Sequence, residues 1–357
     1  MQDTNTDSQP ELQRIEFRGT GGEYFRIWIV NLALTILTLG IYSAWAKVRR
    51  LKYFYGSTQL AGHAFDYHGN PIAILKGRLV AVLVLVAYSA LAQLWPLLGA
   101  ALVIAFWLAI PWIVTRAQMF QMRMTSYRGL RWDFEPDYGG AFKAMLLAPL
   151  ATALSLGLLF PWATRLRYRW LIENTAYGKT FCKLDIGLKP FVMALLYTLP
   201  LIVAGALLVT LGGGVMSLLT AGGGDGPPAP DAVGRTLVWM LVGFYLPLIF
   251  VFYLVLAVWK RTVMNATLPA TTLGPVRLHC KLSARWLAWI YVSNLVGIVL
   301  TLGLFMPWAK VRAAKYQLEC MGYVASGPVD EFHASETERT SAVGEEIGEL
   351  MDVDISL

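Results

Sequence analysis

Residues 302–316 read LGLFMPWAKVRAAKY, and nearly the same phrase stands at 39–53 as LGIYSAWAKVRRLKY and at 156–170 as LGLLFPWATRLRYRW. Each copy closes an apolar run with Leu-Gly, places a Trp-Ala pair five and six residues after the glycine, and ends a Lys/Arg cluster on an aromatic. Gly40, Gly157 and Gly303 stand where a C′ glycine stops a helix, since glycine enters the left-handed conformation without a Cβ clash. Pro161 and Pro307 suit the first turn of a new helix, where no N–H bond is lost. The phrase therefore predicts an apolar helix, a tight break and a second helix. In that second helix of the first copy, Trp45, Val48, Leu51 and Tyr55 recur at spacings of three, three and four, with Lys47, Arg49, Arg50 and Lys52 between them. This is a basic amphipathic helix suited to a headgroup layer.

The rest of the chain sets the phrase in a membrane. Of 357 residues, 56% are hydrophobic and 15% charged, and the mean hydropathy is +0.52, a balance that excludes an ordinary water-soluble domain. Apolar stretches near the roughly 20 residues that cross a bilayer lie at about 24–46, 79–94, 97–115, 143–163, 190–211, 236–259 and 286–308. The first 13 residues are polar and acidic, so a cleavable signal peptide is not expected and the first apolar segment serves as its own signal.

Lys and Arg accumulate in cytoplasmic loops, and four connections are rich in them: 47–78, 116–143, 164–189 and 260–285. WPLLGA (95–100) carries no charge, and GGGDGPPAPDAVGR (222–235) carries two acids and one base; both read as periplasmic. The expected fold class is a mainly α-helical membrane protein. Four full spans form two transmembrane hairpins, and three repeated helix-break-helix elements enter and return or lie in the interface. Both termini are then cytoplasmic. Seven full spans, with one hairpin against the charge rule, is the alternative.

The polar connections also rhyme. TQLAGHAFDY (58–67) parallels TSYRGLRWDF (125–134), and NTAYGKTFCKL (174–184) and TTLGPVRLHCKL (271–282) are looser copies. Period-two alternation around a glycine turn predicts short cytoplasmic β-hairpins, four of which suggest a small β layer beneath the membrane, with IEFRG (15–19) as a further strand. The organisation is a polar N-terminal tail (1–13), a first membrane pseudo-repeat (14–135), a second (136–282), a closing third element (283–325) and a tail (326–357). That tail holds nine acids and one base, −8, which leaves +15 on the body of a chain whose net charge is +7. Short, Glu-rich and aromatic-poor, it is expected to be disordered, with a protein partner or the basic face as its possible contacts.

The run FRGTGGEYFRIWIVNLALTILTLGIYSAWAKVRRLKYFYGSTQLAGHAFDYHGNPIAILKGR (17–78) resembles the YjgN-like family of bacterial inner-membrane proteins, a family of unknown function, over roughly 14–325. The resemblance implies a multi-pass protein of the inner (cytoplasmic) membrane and transfers no substrate, cofactor or catalytic residue. The second copy departs from the phrase, with Thr164 where the others have Lys47 and Lys310.

Catalytic chemistry leaves no trace of its own. Acids and histidines are missing from the central parts of the spans, where a proton relay or ion-coupled site would place them. Neither HExxH nor GxSxG occurs, and the three cysteines (Cys182, Cys280, Cys320) have no metal spacing. Metal, cofactor, nucleic acid and catalytic residues are therefore not expected. GTGGEYF (19–25) is a weak glycine-rich anion pattern, better read as a flexible entry to the first element. Asn31 and Asn294 each precede their repeat glycine by nine residues, and the second copy has Ala148 there; buried amides of this kind usually bond between helices.

The functional expectation is a non-enzymatic membrane protein that organises or senses the bilayer. Arg49, Arg50, Lys52, Arg165, Arg167, Arg169, Lys310, Arg312 and Lys315 hold phospholipid headgroups, at about 1 kcal/mol per cation beside an anionic leaflet, and Trp45, Trp162 and Trp308 act as interfacial anchors. The blander reading of the same cations is control of topology. The alternative function is a transporter or channel for a small solute between the pseudo-repeats; the sequence sets no oligomeric state.

Overall fold

The structure is a computed structural model that describes residues 12–221, 234, 245–327, 329, 330 and 332–339, side chains within 213–221 and that of Leu246 excepted. The chain opens with β1 (Leu12–Phe17), α1 (Gly21–Leu37), α2 (Ser43–Ser57), β2 (Thr58–Leu60) and β3 (His63–Tyr67). A long pair follows, α3 (Pro71–Leu94) and α4 (Pro96–Arg123), then β4 (Thr125–Tyr127) and β5 (Leu130–Phe134). Next come α5 (Tyr138–Leu154), which carries a π turn at Lys143–Leu147, α6 (Phe160–Glu173), β6 (Thr175–Tyr177) and β7 (Thr180–Leu184). The second long pair is α7 (Lys189–Ala221) and α8 (Leu246–Thr267), leading to β8 (Thr271–Leu273) and β9 (Val276–Cys280). The last pair is α9 (Ala284–Leu300) and α10 (Met306–Glu319), before β10 (Met321–Ala325).

Helix length separates these pairs. Among the described residues, four helices are long and apolar enough to cross a membrane, Pro71–Leu94, Pro96–Arg123, Lys189–Gly212 and Pro247–Thr267, whereas Tyr138–Leu154 and Ala284–Leu300 are shorter. The chain is thus a mainly helical multi-pass membrane protein. The connection read as periplasmic at 222–235 lies, apart from residue 234, outside the described residues.

The sheet goes further than the small layer of short hairpins expected from the sequence. The four hairpins are present, two of them turning on paired left-handed residues, Ala61–Gly62 and Arg128–Gly129, as right-handed strand twist favours. They do not stand alone, because ten strands close into one antiparallel barrel in which every strand lies beside its neighbours in sequence. Phe65 faces Tyr127, Trp132 faces Tyr177 and Cys182 faces Leu273 between successive hairpins. The physical reason is the edge: a lone hairpin of three and five residues leaves unpaired N–H and C=O groups and is marginal in water. β1 closes the ring by splitting its partners, Leu12–Arg14 pairing with β10 and Ile15–Phe17 with β2. It begins inside the segment read as the N-terminal tail.

Each helix pair is inserted between two paired strands, so all five pairs hang from one end of the ring and the hairpin turns line the other. The three short pairs share one break. Leu39–Gly40, Leu156–Gly157 and Leu302–Gly303 all have positive φ, between 49° and 93°. The glycine N–H reaches back five residues to Thr35, Thr152 or Ile298, at 2.8 Å each time, which is a Schellman stop with the leucine at C′ and the glycine one residue beyond the C′ position expected for it. Two residues before the glycine, Thr38, Ser155 or Thr301 donates its hydroxyl back to the finished helix and accepts the N–H of Tyr42, Leu159 or Phe305 at 2.9–3.0 Å, starting the next.

The aromatic that ends each phrase also has a structural task. The Tyr53 hydroxyl accepts the Thr20 N–H at 2.7 Å and donates to the Thr20 carbonyl at 2.8 Å. Tyr316 makes the same two bonds with Ser283, and the Trp170 indole donates to the Asp137 carbonyl at 3.0 Å. In every case the partner is the N-cap of the first helix, 33 residues back. The aromatic clasps the second helix to the start of the first.

The C-terminal segment corrects the expectation of disorder. Residues 329–330 and 332–339 are helical and close over the hairpin turns. Glu336 is buried, accepting the Lys179 N–H at 2.8 Å, the Thr180 hydroxyl at 2.7 Å and an Arg339 N–H at 3.1 Å. Asp330 pairs with Arg128 at 2.6 Å, and Phe332 packs with Leu130, Tyr177 and Leu273. Composition predicted a solvated tail because no local pattern records these long-range partners. Residues 340–357 lie outside the described residues.

Burial works to raise the Glu336 carboxyl, but the bonds from Thr180, Lys179 and Arg339 outweigh it and hold it below the usual carboxylate range. A lowered folded pKa stabilises the docked segment above the ordinary carboxylate value and loses that contribution as pH falls through the folded one. Hydrogen exchange across 329–339 should therefore be slow at pH 7 and rise below about pH 4, and Glu336→Ala should open the segment at pH 7. Tyr53→Phe and Tyr316→Phe should each lower unfolding stability in detergent by about 0.5–1.5 kcal/mol.

Candidate functional site

The first and last helix pairs meet at the seam where β1 joins β10. There α10 packs against α1, with Val311 buried beside Phe17 and Tyr24. The glycine-rich entry is explained here: a Cβ on Gly21 would fall 2.2 Å from Trp308 Cδ1, and Trp308 stacks on Phe25 at 4.8 Å between ring centres. The glycine admits an indole.

Above this core lies a cavity of about 270 Å³, inside the V of α1 and α2. Asn31 and Thr35 line it from α1, Ser43, Lys47 and Arg50 from α2, Arg78 from α3 and Lys310 from α10. Arg78 donates to the Ser43 hydroxyl, which itself donates to the Gly40 carbonyl, so one cation is tied to the break. Among the described residues, no carboxylate forms an ion pair with Lys47, Arg50, Arg78 or Lys310. Partial burial and the Arg50 charge push the Lys310 ammonium down. Asn31 is 7% exposed, and its Oδ1 is buried with no hydrogen-bond partner.

Of the nine cations singled out in the sequence, the structure brings Arg50 and Lys310 together and disperses the rest. Arg165 donates to the Ile186 carbonyl at 3.0 Å, Arg312 to the Ser293 hydroxyl at 2.8 Å and Arg49 to the Tyr42 hydroxyl at 3.0 Å. Arg169 pairs with Glu173 at 3.0 Å and Lys315 with Glu319 at 3.8 Å on their own helices. Lys52 and Arg167 are exposed. Two cavity cations, Lys47 and Arg78, were missed. Lys47 had a signal in its recurrence as Lys310, while Arg78 stood out only as one more cytoplasmic charge. Of the anchors, Trp162 is 40% and Trp308 37% exposed, and Trp45 is half-buried against Tyr42. Among the described residues, no three His, Cys, Asp or Glu side chains gather in a set able to hold a metal.

Membrane-length helices beside a cavity lined by basic side chains define the class: a multi-pass membrane protein with a polar site at the edge of its helical layer. The chain belongs to a family described as bacterial proteins of unknown function (DUF898), which matches residues 12–350. It is similar to an inner membrane protein YjgN of Salmonella typhimurium (strain LT2), 25% identical over 335 residues, covering 83% of this chain and 84% of the relative. It is also similar to an inner membrane protein YjgN of Escherichia coli O157:H7, 30% identical over 151 residues, covering 42% of this chain and only 38% of that relative. No solved structure matches.

The two repeat asparagines both bury an Oδ1 without a partner and differ at the amide nitrogen. Asn294 donates to the buried Ala309 carbonyl at 3.0 Å, so Asn294→Ala should cost about 1–3 kcal/mol. Asn31→Ala should leave thermal unfolding in detergent nearly unchanged.

Proposed function

We propose that the chain is a multi-pass protein of the bacterial inner membrane that is not an enzyme and that organises or senses the bilayer through its three basic, Trp-bearing helix pairs. The observation that carries this reading is the apolar tip of each short pair. Leu39, Leu156 and Leu302 are each 95% exposed at the break, and Leu37, Leu154 and Leu300 are 78–79% exposed beside them. Moving a fully exposed leucine from water into hydrocarbon gains about 1.5–3 kcal/mol, so three such tips favour entering the lipid and returning. The basic second helices then lie at headgroup depth, with Trp162 and Trp308 at the boundary.

The long pairs cross the membrane, the short pairs dip into one leaflet, and the barrel sits beneath them in the cytoplasm with both termini. The inner-membrane names of the relatives support that location. Exposed Lys52 and Arg167 face anionic headgroups, and the paired arginines set the angle of each helix.

Cysteines placed singly at Leu39, Leu156 and Leu302 in reconstituted protein should resist water-soluble thiol reagents from either side and be quenched by spin-labelled lipid in one leaflet. Labelling of these sites from the periplasmic face would overturn the entering-and-returning arrangement. Reversing Arg49, Arg167 and Arg312 to Glu should reduce co-purified anionic lipid several-fold. Solute flux that survives the reversal would instead favour transport.

A further inference from the structure

An even basic surface and a discrete binding site make different demands on side chains. A surface needs only charge facing outward. A site needs donors converging from several elements, a space of suitable size and polar groups left without partners. The seam cavity has the second set. Its cations come from α2, α3 and α10, of which α10 reaches the other two only through closure of the ring, and no described carboxylate neutralises them. Its volume of about 270 Å³ greatly exceeds the 10–15 Å³ that one water requires. Like charges held together in a half-sheltered space repel, and a bound anion removes that cost.

We infer that this cavity binds one phosphate group, held by Lys47, Arg50 and Lys310 with Arg78 behind them and Asn31 at its base. The chemistry selects phosphate over a carboxylate. Arg50 and Arg78 offer planar forks for paired oxygens, and the two ammonium groups act as point charges from other directions. A tetrahedral anion presents oxygens to all of them at once, whereas a planar carboxylate presents two. The Asn31 amide completes the fit. Its carbonyl can accept from a hydroxyl on the ligand, which gives the buried Oδ1 its missing partner, and its NH₂ can donate to an anionic oxygen.

Differences among the three copies place the site at one position only. At the second copy Thr164 replaces the lysine and Ala148 the asparagine. At the third, the amide nitrogen of Asn294 is taken by the Ala309 carbonyl, and Ala313 stands where the first copy has Arg50. The third copy lends Lys310 to the first copy's cavity and builds no equivalent of its own.

This inference rests on the bilayer reading for its source of phosphate, since an anionic phospholipid and a free phosphate carry the same group. Full-length protein in zwitterionic nanodiscs would be titrated with inorganic phosphate, and separately reconstituted in phosphatidylcholine membranes with and without phosphatidylglycerol. Bound lipid would be counted by native mass spectrometry. We expect one tightly retained phosphate-bearing ligand per chain, weakened at least tenfold by Arg50→Gln or Lys310→Gln and far less by Arg167→Gln, whose headgroup contact lies outside the cavity. Retained phosphatidylglycerol that inorganic phosphate does not displace assigns the lipid as source; binding of inorganic phosphate alone assigns a free anion.

Thermal unfolding adds a second readout: without ligand, Arg50→Gln should unfold at a higher temperature than the parent, because one of the crowded cations is gone. Equal losses from Arg50→Gln and Arg167→Gln would show a diffuse basic surface, sinking the site while leaving the bilayer reading intact. No retention of any phosphate-bearing probe by the folded parent would overturn the site. Indifference to membrane charge throughout would overturn the bilayer reading as well.

Discussion

Everything above the barrel depends on ten short strands having no free edge. Strands of three and five residues have little strength in isolation, and even a two-stranded hairpin is marginal in water. Closing them in sequence order leaves each strand paired on both sides. Because every helix pair leaves and re-enters the ring at the same end, the ring also sets the circle in which the helices stand. The basic cavity follows from that closure. Lys47 and Arg50 belong to the first pair and Lys310 to the last, more than 250 residues apart in sequence and adjacent only across the seam.

The local devices were legible because their physics is local. Leu-Gly with a preceding Thr or Ser encodes a stop and a restart within about six residues, and the left-handed φ values at all three copies match it. The hairpin turns were equally visible, since Ala61–Gly62 and Arg128–Gly129 need little beyond their own backbone preferences. The ring was not legible. The pairing of Phe65 with Tyr127 bridges two membrane-length helices, and no periodicity records which edge meets which. Glu336 was read as one more acid in a solvated tail, although its partners at Lys179 and Thr180 lie over 150 residues away.

Basic residues show the same division. Charge in the sequence gives a side of the membrane and says nothing of the partner. Arg165 and Arg312 look like headgroup ligands and hold a carbonyl and a hydroxyl of their own fold. Arg78 looks like a topology signal and lines the cavity. The repeat itself obscured the site, because what distinguishes the first copy is where its neighbours fail to match it: Thr164 for Lys47, Ala148 for Asn31, Ala313 for Arg50.

The divided pairing of β1 has a consequence for biogenesis. Its second half, Ile15–Phe17, meets β2 within 45 residues, but its first half waits for Gly322–Val324. As the chain leaves the ribosome from its N-terminus, Leu12–Arg14 must remain unpaired while all four spanning helices enter the bilayer. The barrel shuts only when β10 arrives, ahead of the docking of the segment that follows it, and a chain lacking that strand carries five helix pairs around an open sheet. Such an edge is a template for pairing with another chain, so closing the seam also removes a site of aggregation.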